Sequence, residues 1–324
     1  MINFQYVRAA TVKSAIAAVV KDKNAKFIAG GTNLVDLMKR GVTNPERLVD
    51  INPLPLKEIE LVKDMIHIGA MATNADVAEH ELIRTHLPGL AFALNAGASA
   101  QLRNVATVGG NIMQRTRCGY FYDTEMPCNK RVPGSGCGAK EGYNRMHAIF
   151  GASESCIAVH PSDMCVALSI LDATIVLASP KGERKMKFTD FHKLPGNTPE
   201  KDNNLLSTEL IVRLEIPTSA INKNSSYIKV RDRASYAFAL VSVAKALVIK
   251  DNKITEARIG MGGVAHKPWR LTEAENFLIG KAPSPEVFEQ AAALAIKGAK
   301  AYKENGFKVQ LSKNTIIQAL TGIS

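Results

Sequence analysis

Residues 105–163 constrain this chain more than any other stretch. They open with ATVGGN at 106–111, close with HPSD at 160–163, and hold four of the five cysteines between them: Cys118, Cys128, Cys137 and Cys156. The segment is rich in Gly, Pro and Arg and shows little apolar periodicity, so a core of its own is not expected to offset the entropy of ordering it. Four soft, anionic thiolates in one polar segment can surround a [4Fe-4S] cluster or a zinc ion. Nine residues separate Cys118 from Cys128, eight separate Cys128 from Cys137, and eighteen separate Cys137 from Cys156. Neither the close cysteine pairs of structural zinc sites nor the short-spaced ferredoxin run is present, so spacing leaves the metal undecided.

Unligated thiols usually occupy buried apolar positions. Cys118 in QRTRCGYF, Cys128 in EMPCNKR and Cys137 in PGSGCGAK have no such surroundings, whereas Cys165 in SDMCVALSIL does. The expectation is four ligands, Cys118, Cys128, Cys137 and Cys156, with Cys165 as a packed helix residue. Arg115, Arg117, Lys130, Arg131, Lys140 and Arg145 outnumber Asp123, Glu125 and Glu141 nearby. Such donors suit an anionic cluster, although basic side chains alone fit a solvated loop equally well.

At 324 residues and 46% hydrophobic content, two or three domains are expected. The formal net charge of +11 comes with only 6% aromatic residues and scattered Lys and Arg, which argues against nucleic acid and favours a protein partner or simple solubility. Five clustered cysteines do not form a secreted disulfide framework. The amino terminus lacks the basic and apolar regions of a signal peptide, and Lys245 interrupts the most apolar run, so no membrane insertion is expected.

In chain order, residues 12–20 read as an amphipathic helix capped by Thr11, with Val12, Ile16, Val19 and Val20 toward a core. A strand from Lys26, a glycine turn at Gly30 and Gly31, a helix ending before Gly41 and a strand at 47–51 complete a small α/β unit. Adjacent glycines let backbone N–H groups converge on an anion, and a dinucleotide pyrophosphate is the natural guest. The turn IAGGTNL matches neither the G-x-G-x-x-G fingerprint nor a P-loop and is weak alone. Strands are expected at 59–62 and 65–70, helices at 74–84 and 87–95, and a second glycine turn at ATVGGN, as if two walls of one cleft. Ser162 is placed as the cap of a helix over 164–171 with Asp163 in its first turn. Strands follow at 173–178, 183–188 and 208–216, and the polar run SAINKNSS marks a domain boundary. The last part reads as strands at 227–230, 237–248 and 253–261, then helices at 271–278, 284–302 and 312–321.

IAGGTNLVDLMK, LRNVATVGGN, HPSDMCVAL and YIKVRDRASYAFALVSVA resemble, in the same order, the motifs of the FAD-binding middle subunit of the xanthine dehydrogenase or molybdenum hydroxylase family. The insert from Cys118 to Cys156 is similar to that of the bacterial aldehyde oxidoreductase branch, whose flavin subunit also carries a [4Fe-4S] cluster. The resemblance covers essentially the whole chain. It implies an α+β architecture: a two-part, PCMH-like FAD-binding domain over 1–220, with subdomains at about 1–54 and 55–220 and an iron-sulfur insert at 118–156, then a C-terminal domain over 221–324 with a three-stranded antiparallel sheet and helices. It places flavin contacts on Ala29, Gly30, Gly31, Thr32, Asn33 and Leu34, on Thr107, Gly110 and Asn111, on Asp163 toward the cofactor's sugar region, and on Lys229 from the second domain. Cys118, Cys128, Cys137 and Cys156 match the cluster ligands of that branch. No residue here matches a catalytic acid or nucleophile.

The resemblance further implies a large partner subunit with the molybdenum cofactor, a small partner with [2Fe-2S] clusters, and an external electron acceptor. The absence of a leader suits both a cytoplasmic location and export of the folded complex to the periplasm on a partner's twin-arginine signal. Two other readings stay open at this point: a nicotinamide-linked flavoprotein of the xanthine dehydrogenase type, and a zinc-stabilised binding module.

Overall fold

Thr11 begins the first helix, Val12–Lys21, with a reciprocal cap: its side chain accepts from the Ser14 N–H while the Ser14 hydroxyl accepts from the Thr11 N–H. In the computed structural model, which describes residues 1–322, this helix buries Ala15, Ile16 and Val19, whereas Val20 faces solvent. It connects strand β1 (Gln5–Arg8) to β2 (Ala25–Ile28), and the helix Leu34–Lys39 connects β2 to β3 (Arg47–Asp50). The three strands are parallel in the order β1-β3-β2, and parallel pairing requires such crossovers. Strand β1 escapes sequence reasoning because all four of its residues are exposed and carry no apolar alternation.

The second layer is an antiparallel sheet of β4 (Ile59–Val62), β5 (Met65–Gly69), β6 (Thr174–Ser179), β7 (Gly182–Lys187) and β8 (Leu210–Pro217), in the order β4-β5-β8-β6-β7. Strand β8 runs between β5 and β6, so residues 70–173 leave the sheet and return to it as one long excursion. One core joins Ile66, Ile68 and Leu214 of this sheet to Leu90, Leu94, Val166 and Leu168 from the helices of the excursion. Another joins Val176 and Val212 on the sheet to Ile16, Val19 and Val49 of the α/β unit.

The C-terminal sheet contains β9 (Ser225–Val230), β10 (Val241–Lys250), β11 (Lys253–Gly262) and the two-residue β12 (Trp269–Arg270), all antiparallel. It is four-stranded rather than three-stranded because Trp269 and Arg270 pair with Met261 and Gly260. Alternation along β10 divides it between two cores. Val241, Val243 and Leu247 face the helices Thr272–Leu278, Pro285–Ala295 and Phe307–Thr321, while Ala244 and Ala246 join the core of the five-stranded sheet.

Several expected elements differ. Residues 74–84 form two helices, Asn74–Glu79 and Glu81–His86, because His80 has extended backbone and its ring accepts from Leu82 N. ATVGGN is a helix start rather than a free turn: Thr107 Oγ1 accepts from Gly110 N and caps Val108–Ile112. Residues 231–240 are irregular, so the strand expected from 237 begins at Val241. The helix expected over 284–302 ends at Ala295. The polar run after β8 forms the short helix Ala220–Lys223, and Asn222 is buried, donating to the carbonyls of Leu171 and Pro217.

The two glycine segments meet directly. A Cβ at Gly30 would stand 2.0 Å from the Val105 carbonyl oxygen, and Gly31 has φ +71°. The obstacle is backbone, which cannot rotate away. Gly30→Ala is expected to lower stability by about 2 kcal/mol or more, whereas Gly119→Ala, with open space around its Cβ position, should stay within about 0.5 kcal/mol of the parent. Urea midpoints of the two variants, measured side by side, check this.

Candidate functional site

After the helix Val108–Ile112 the chain passes the first glycine turn, where Asn33 Oδ1 accepts from Arg115 N at 2.9 Å. It then enters the cysteine segment. Cys118 precedes the short helix Gly119–Tyr122, whose Phe121 is fully buried against Leu37 and Cys128 with the Arg115 guanidinium 4.7 Å above its ring. Arg131 donates to the carbonyls of Tyr120, Phe121 and Thr124 at 2.9, 2.9 and 3.2 Å, and to that of Met126. Cys128 and Cys137 form an isolated antiparallel bridge. Asn129 fastens this bridge, accepting from Gly136 N at 2.8 Å and donating to the Ser155 carbonyl at 3.0 Å.

These contacts bring Cys118, Cys128, Cys137 and Cys156 to one small cavity, and none is in a disulfide. Burial pushes Cys118 up to about 12 and Cys156 up to about 11, so both are thiols at neutral pH unless a bound cation supplies positive charge. A convergent set of four soft donors fits an iron-sulfur cluster or zinc. The basic side chains of the segment largely do other work than the sequence suggests. Arg131 staples carbonyls, Arg145 makes a bidentate pair with Asp232 at 2.8 and 2.9 Å, Lys140 pairs with Glu154, and buried Lys130 pairs with Asp202. The segment also has more core of its own than its pattern suggests, in Phe121 and Ala139, both fully buried.

A second, larger cavity of about 450 Å³ lies beside the first. Thr116, Cys118 and Tyr120 line both. Its far side carries His160, Ser162 and Asp163, with Phe238, Ser242 and Gly263 from the C-terminal part. Asp163 is buried and pairs with Lys229 at 2.8 Å, and the Tyr227 hydroxyl donates to its other oxygen. Lys229 and Arg231 both donate to the Ala96 carbonyl, at 3.0 and 3.1 Å. Arg233 instead turns to the Tyr236 carbonyl at the surface. Tyr227 is a site residue that sequence reasoning misses, because a lone tyrosine in a strand reads as core.

The glycine-turn residues connect to this cavity without lining it. Asn33 holds the backbone that leads into Thr116 and Arg117, and Asn111 Oδ1 accepts from the Ser162 hydroxyl at 2.6 Å. Among the described residues, the N–H groups of residues 30–33 donate to no protein acceptor, which suits an anionic guest across the turn. Ala29 accepts from Asn52 through its carbonyl at 3.1 Å, Thr32 is exposed, and Leu34 starts the following helix. Thr107 and Gly110 are spent on the helix cap. The structure thus joins Asp163 with Lys229 and the four cysteines with one another, and sets both glycine segments behind the cavity wall.

Residues 2–219 match the family described as the FAD binding domain in molybdopterin dehydrogenase, and residues 226–320 match the CO dehydrogenase flavoprotein C-terminal domain. The chain belongs to the FAD-binding subunits of the molybdenum hydroxylase family. This flavoprotein subunit is 48% identical over 319 residues to the aldehyde oxidoreductase FAD-binding subunit PaoB of Escherichia coli strain K12, covering 98% of this chain and 97% of that protein. It is 30% identical to the glyceraldehyde dehydrogenase medium chain of Sulfolobus acidocaldarius, covering 90% of this chain and 86% of that one. Among solved structures it resembles a chain of quinoline 2-oxidoreductase from Pseudomonas putida 86, with TM-score 0.77, 25% identity and coverage of 99% and 96%. Carbon monoxide dehydrogenase from Hydrogenophaga pseudoflava gives TM-score 0.77 and 25% identity, with coverage of 99% and 98%. These relatives are subunits of oxidoreductases, and the two-domain fold of the flavoprotein subunit is theirs. Among the described residues no helix is long and apolar enough to cross a membrane.

Behind the cavity lies a buried histidine layer that sequence spacing cannot reveal. His160 and His192 are 4.4 Å apart between ring centroids, and donor atoms of both lie within 4.8 Å of the Cys165 sulfur. Cys165 is fully buried in the core, as its pattern predicts. Burial pushes His192 and His266 down to about 4, and His160 well down too. Their folded values lie below the unfolded value near 6.5. The fold therefore has its full histidine contribution above about pH 6.5 and loses it as pH falls toward 4. Asp202, held down to about 2 against burial by Lys130 and Arg115, adds its loss only below the ordinary carboxylate range. His192→Gln, whatever its stability at pH 7.5, should show a shallower fall in urea midpoint between pH 6.5 and 4.5 than the parent. Equal slopes would contradict the placement of His192.

Proposed function

We propose that this chain is the FAD- and [4Fe-4S]-binding electron-transfer subunit of a heterotrimeric, molybdenum-dependent aldehyde oxidoreductase. What carries the reading is one juxtaposition: four thiols of a single segment line one cavity, and that cavity shares Thr116, Cys118 and Tyr120 with the larger cavity of Asp163. Similarity to PaoB over nearly the whole chain supports the aldehyde assignment. In this reading Cys118, Cys128, Cys137 and Cys156 hold the cluster. Ala29, Gly30, Gly31, Thr32, Asn33, Leu34, Thr107, Gly110 and Asn111 frame the flavin's pyrophosphate and ribityl portion, with Asp163 on its sugar side and Lys229 near the flavin from the second domain.

The organic substrate is oxidised on a large molybdenum-cofactor subunit, and electrons reach this chain through a small [2Fe-2S] subunit before leaving to an external acceptor. FAD supplies the exchange between single-electron carriers and a two-electron acceptor. The chain's own residues bind, orient and insulate. Lys229 and Tyr227 hold the Asp163 carboxylate in one rotamer, the Asn111 contact holds Ser162, and Phe238 lines the cavity from the C-terminal part. The net charge of +11 serves docking to the partners.

Anaerobic purification with iron, sulfide and flavin determined on one sample tests the assignment. Denaturation should release intact FAD into the supernatant; colour that stays on the chain, or released FMN, would reject this site. Serine at Cys118, Cys128, Cys137 or Cys156 should abolish the cubane signal and the iron it accounts for, because a hard hydroxyl replaces a soft thiolate. Serine at Cys165 should leave iron unchanged. A ligand variant with full iron, beside a Cys165 variant that loses it, would overturn the ligand set.

A further inference from the structure

The ring of His147 is buried and makes a single polar contact: Nε2 lies 3.2 Å from the Cys118 sulfur, while Nδ1 has no partner among the described residues. An unpaired buried nitrogen is costly, and an apolar side chain of similar volume would avoid that cost. The contact to sulfur is what the imidazole adds at this position. A metal-bound thiolate has no proton to give, so the shared hydrogen must sit on Nε2 and be donated to sulfur.

The donor is held from behind by the C-terminal domain. The His147 carbonyl accepts from Lys308 Nζ at 3.0 Å and from Asn305 Nδ2 at 3.3 Å, and the Met146 carbonyl accepts from Lys308 at 3.4 Å. Lys308 and Asn305 are both buried at or just before the start of the helix Phe307–Thr321. Against the other ligand sulfurs the described residues offer one further donor, the backbone N–H of Ala158, 3.4 Å from Cys156. His147 is thus a side chain that acts on one ligand only. That ligand, Cys118, is the one cysteine of the four that also lines the larger cavity, as does His147 itself.

We propose that His147 is a positioning residue for electron transfer, donating its Nε2–H to the Cys118 thiolate and so raising the reduction potential of the cluster on the edge that faces the flavin cavity. The inference rests on the cluster assignment above. Adding an electron places negative charge on the cluster sulfurs, so a donor to sulfur stabilises the reduced form more than the oxidised form. Removing it makes the cluster harder to reduce.

The test is an EPR-monitored redox titration of the intact complex carrying His147→Ala or His147→Gln, with the flavin titrated optically in the same samples. His147→Ala should retain iron and lower the ratio of reduced to oxidised cluster at a fixed applied potential by about tenfold, the worth of one hydrogen bond to a charged group. His147→Gln, which keeps an N–H, should fall closer to the parent, and the flavin titration should not move in either. Retention of iron by Gln and its loss by Ala would also support the donor role. An unchanged cluster titration in an iron-replete Ala variant, an equal shift of the flavin, or loss of iron from both variants would overturn it. Absence of a cubane signal from the unsubstituted complex, beside the [2Fe-2S] signals of the small subunit, would instead be a failure of the cluster assignment.

Discussion

A buried ion pair holds the two parts of this protein together where its chemistry is expected. Asp163 opens the helix Asp163–Leu168 at the end of the long excursion, and Lys229 reaches it from strand β9 of the C-terminal sheet at 2.8 Å. Neither charge has much access to water, and each is completed by further hydrogen bonds, from the Tyr227 hydroxyl and to the Ala96 carbonyl. Loss of either partner would strand a buried charge, a penalty of about 3–5 kcal/mol. The pair fixes the seam on which the larger cavity depends: Ser162 and Asp163 form one bank, Ser242 and Gly263 the other.

The cysteine segment depends on this seam from the opposite side. Residues 70–173 leave and rejoin one sheet, since β8 pairs with both β5 and β6, and on the way back Ser162 meets Asn111 at the end of the second glycine segment. The C-terminal helix then holds the segment from outside, with Asn305 and Lys308 on the 146–148 carbonyls. This explains how a loop with little apolar periodicity keeps four thiols on one cavity. Small hydrogen-bonded turns and a fully buried Phe121 order it locally, and the two domains grip its ends.

Much of this is legible in the sequence and some is not, for physical reasons. Thr11 and Ser162 are recognised as caps because a hydroxyl before an apolar run satisfies a free N–H in a local, repeatable way. Cys165 is separable from the other cysteines because its neighbours are apolar. By contrast, β1 carries no alternation, the break at His80 depends on one ring nitrogen, and the helix at Val108–Ile112 hides under a glycine pair. The least legible features are long-range: Arg131 looks like a donor to a cluster and is instead consumed by carbonyls, while Lys130 lines the thiol cavity and lowers Cys156 by its charge but spends its hydrogen bonds on Pro199 and Asp202. Tyr227 on Asp163 and His147 on Cys118 are single contacts across 64 and 29 residues, with no local pattern to announce them.

The four-thiol cavity and the larger cavity of Asp163 share a wall formed by Thr116, Cys118 and Tyr120, and in the proposed function a cluster and the flavin ring meet across it. Diffraction from crystals of the anaerobically purified protein, recorded above and below the iron absorption edge, tests it most directly. The expected result is a compact iron peak bounded by the sulfurs of Cys118, Cys128, Cys137 and Cys156, with density for the flavin ring in the adjoining cavity beside Cys118. Anomalous signal at the zinc edge instead, or density for the flavin ring away from the cavity of Asp163, would contradict it.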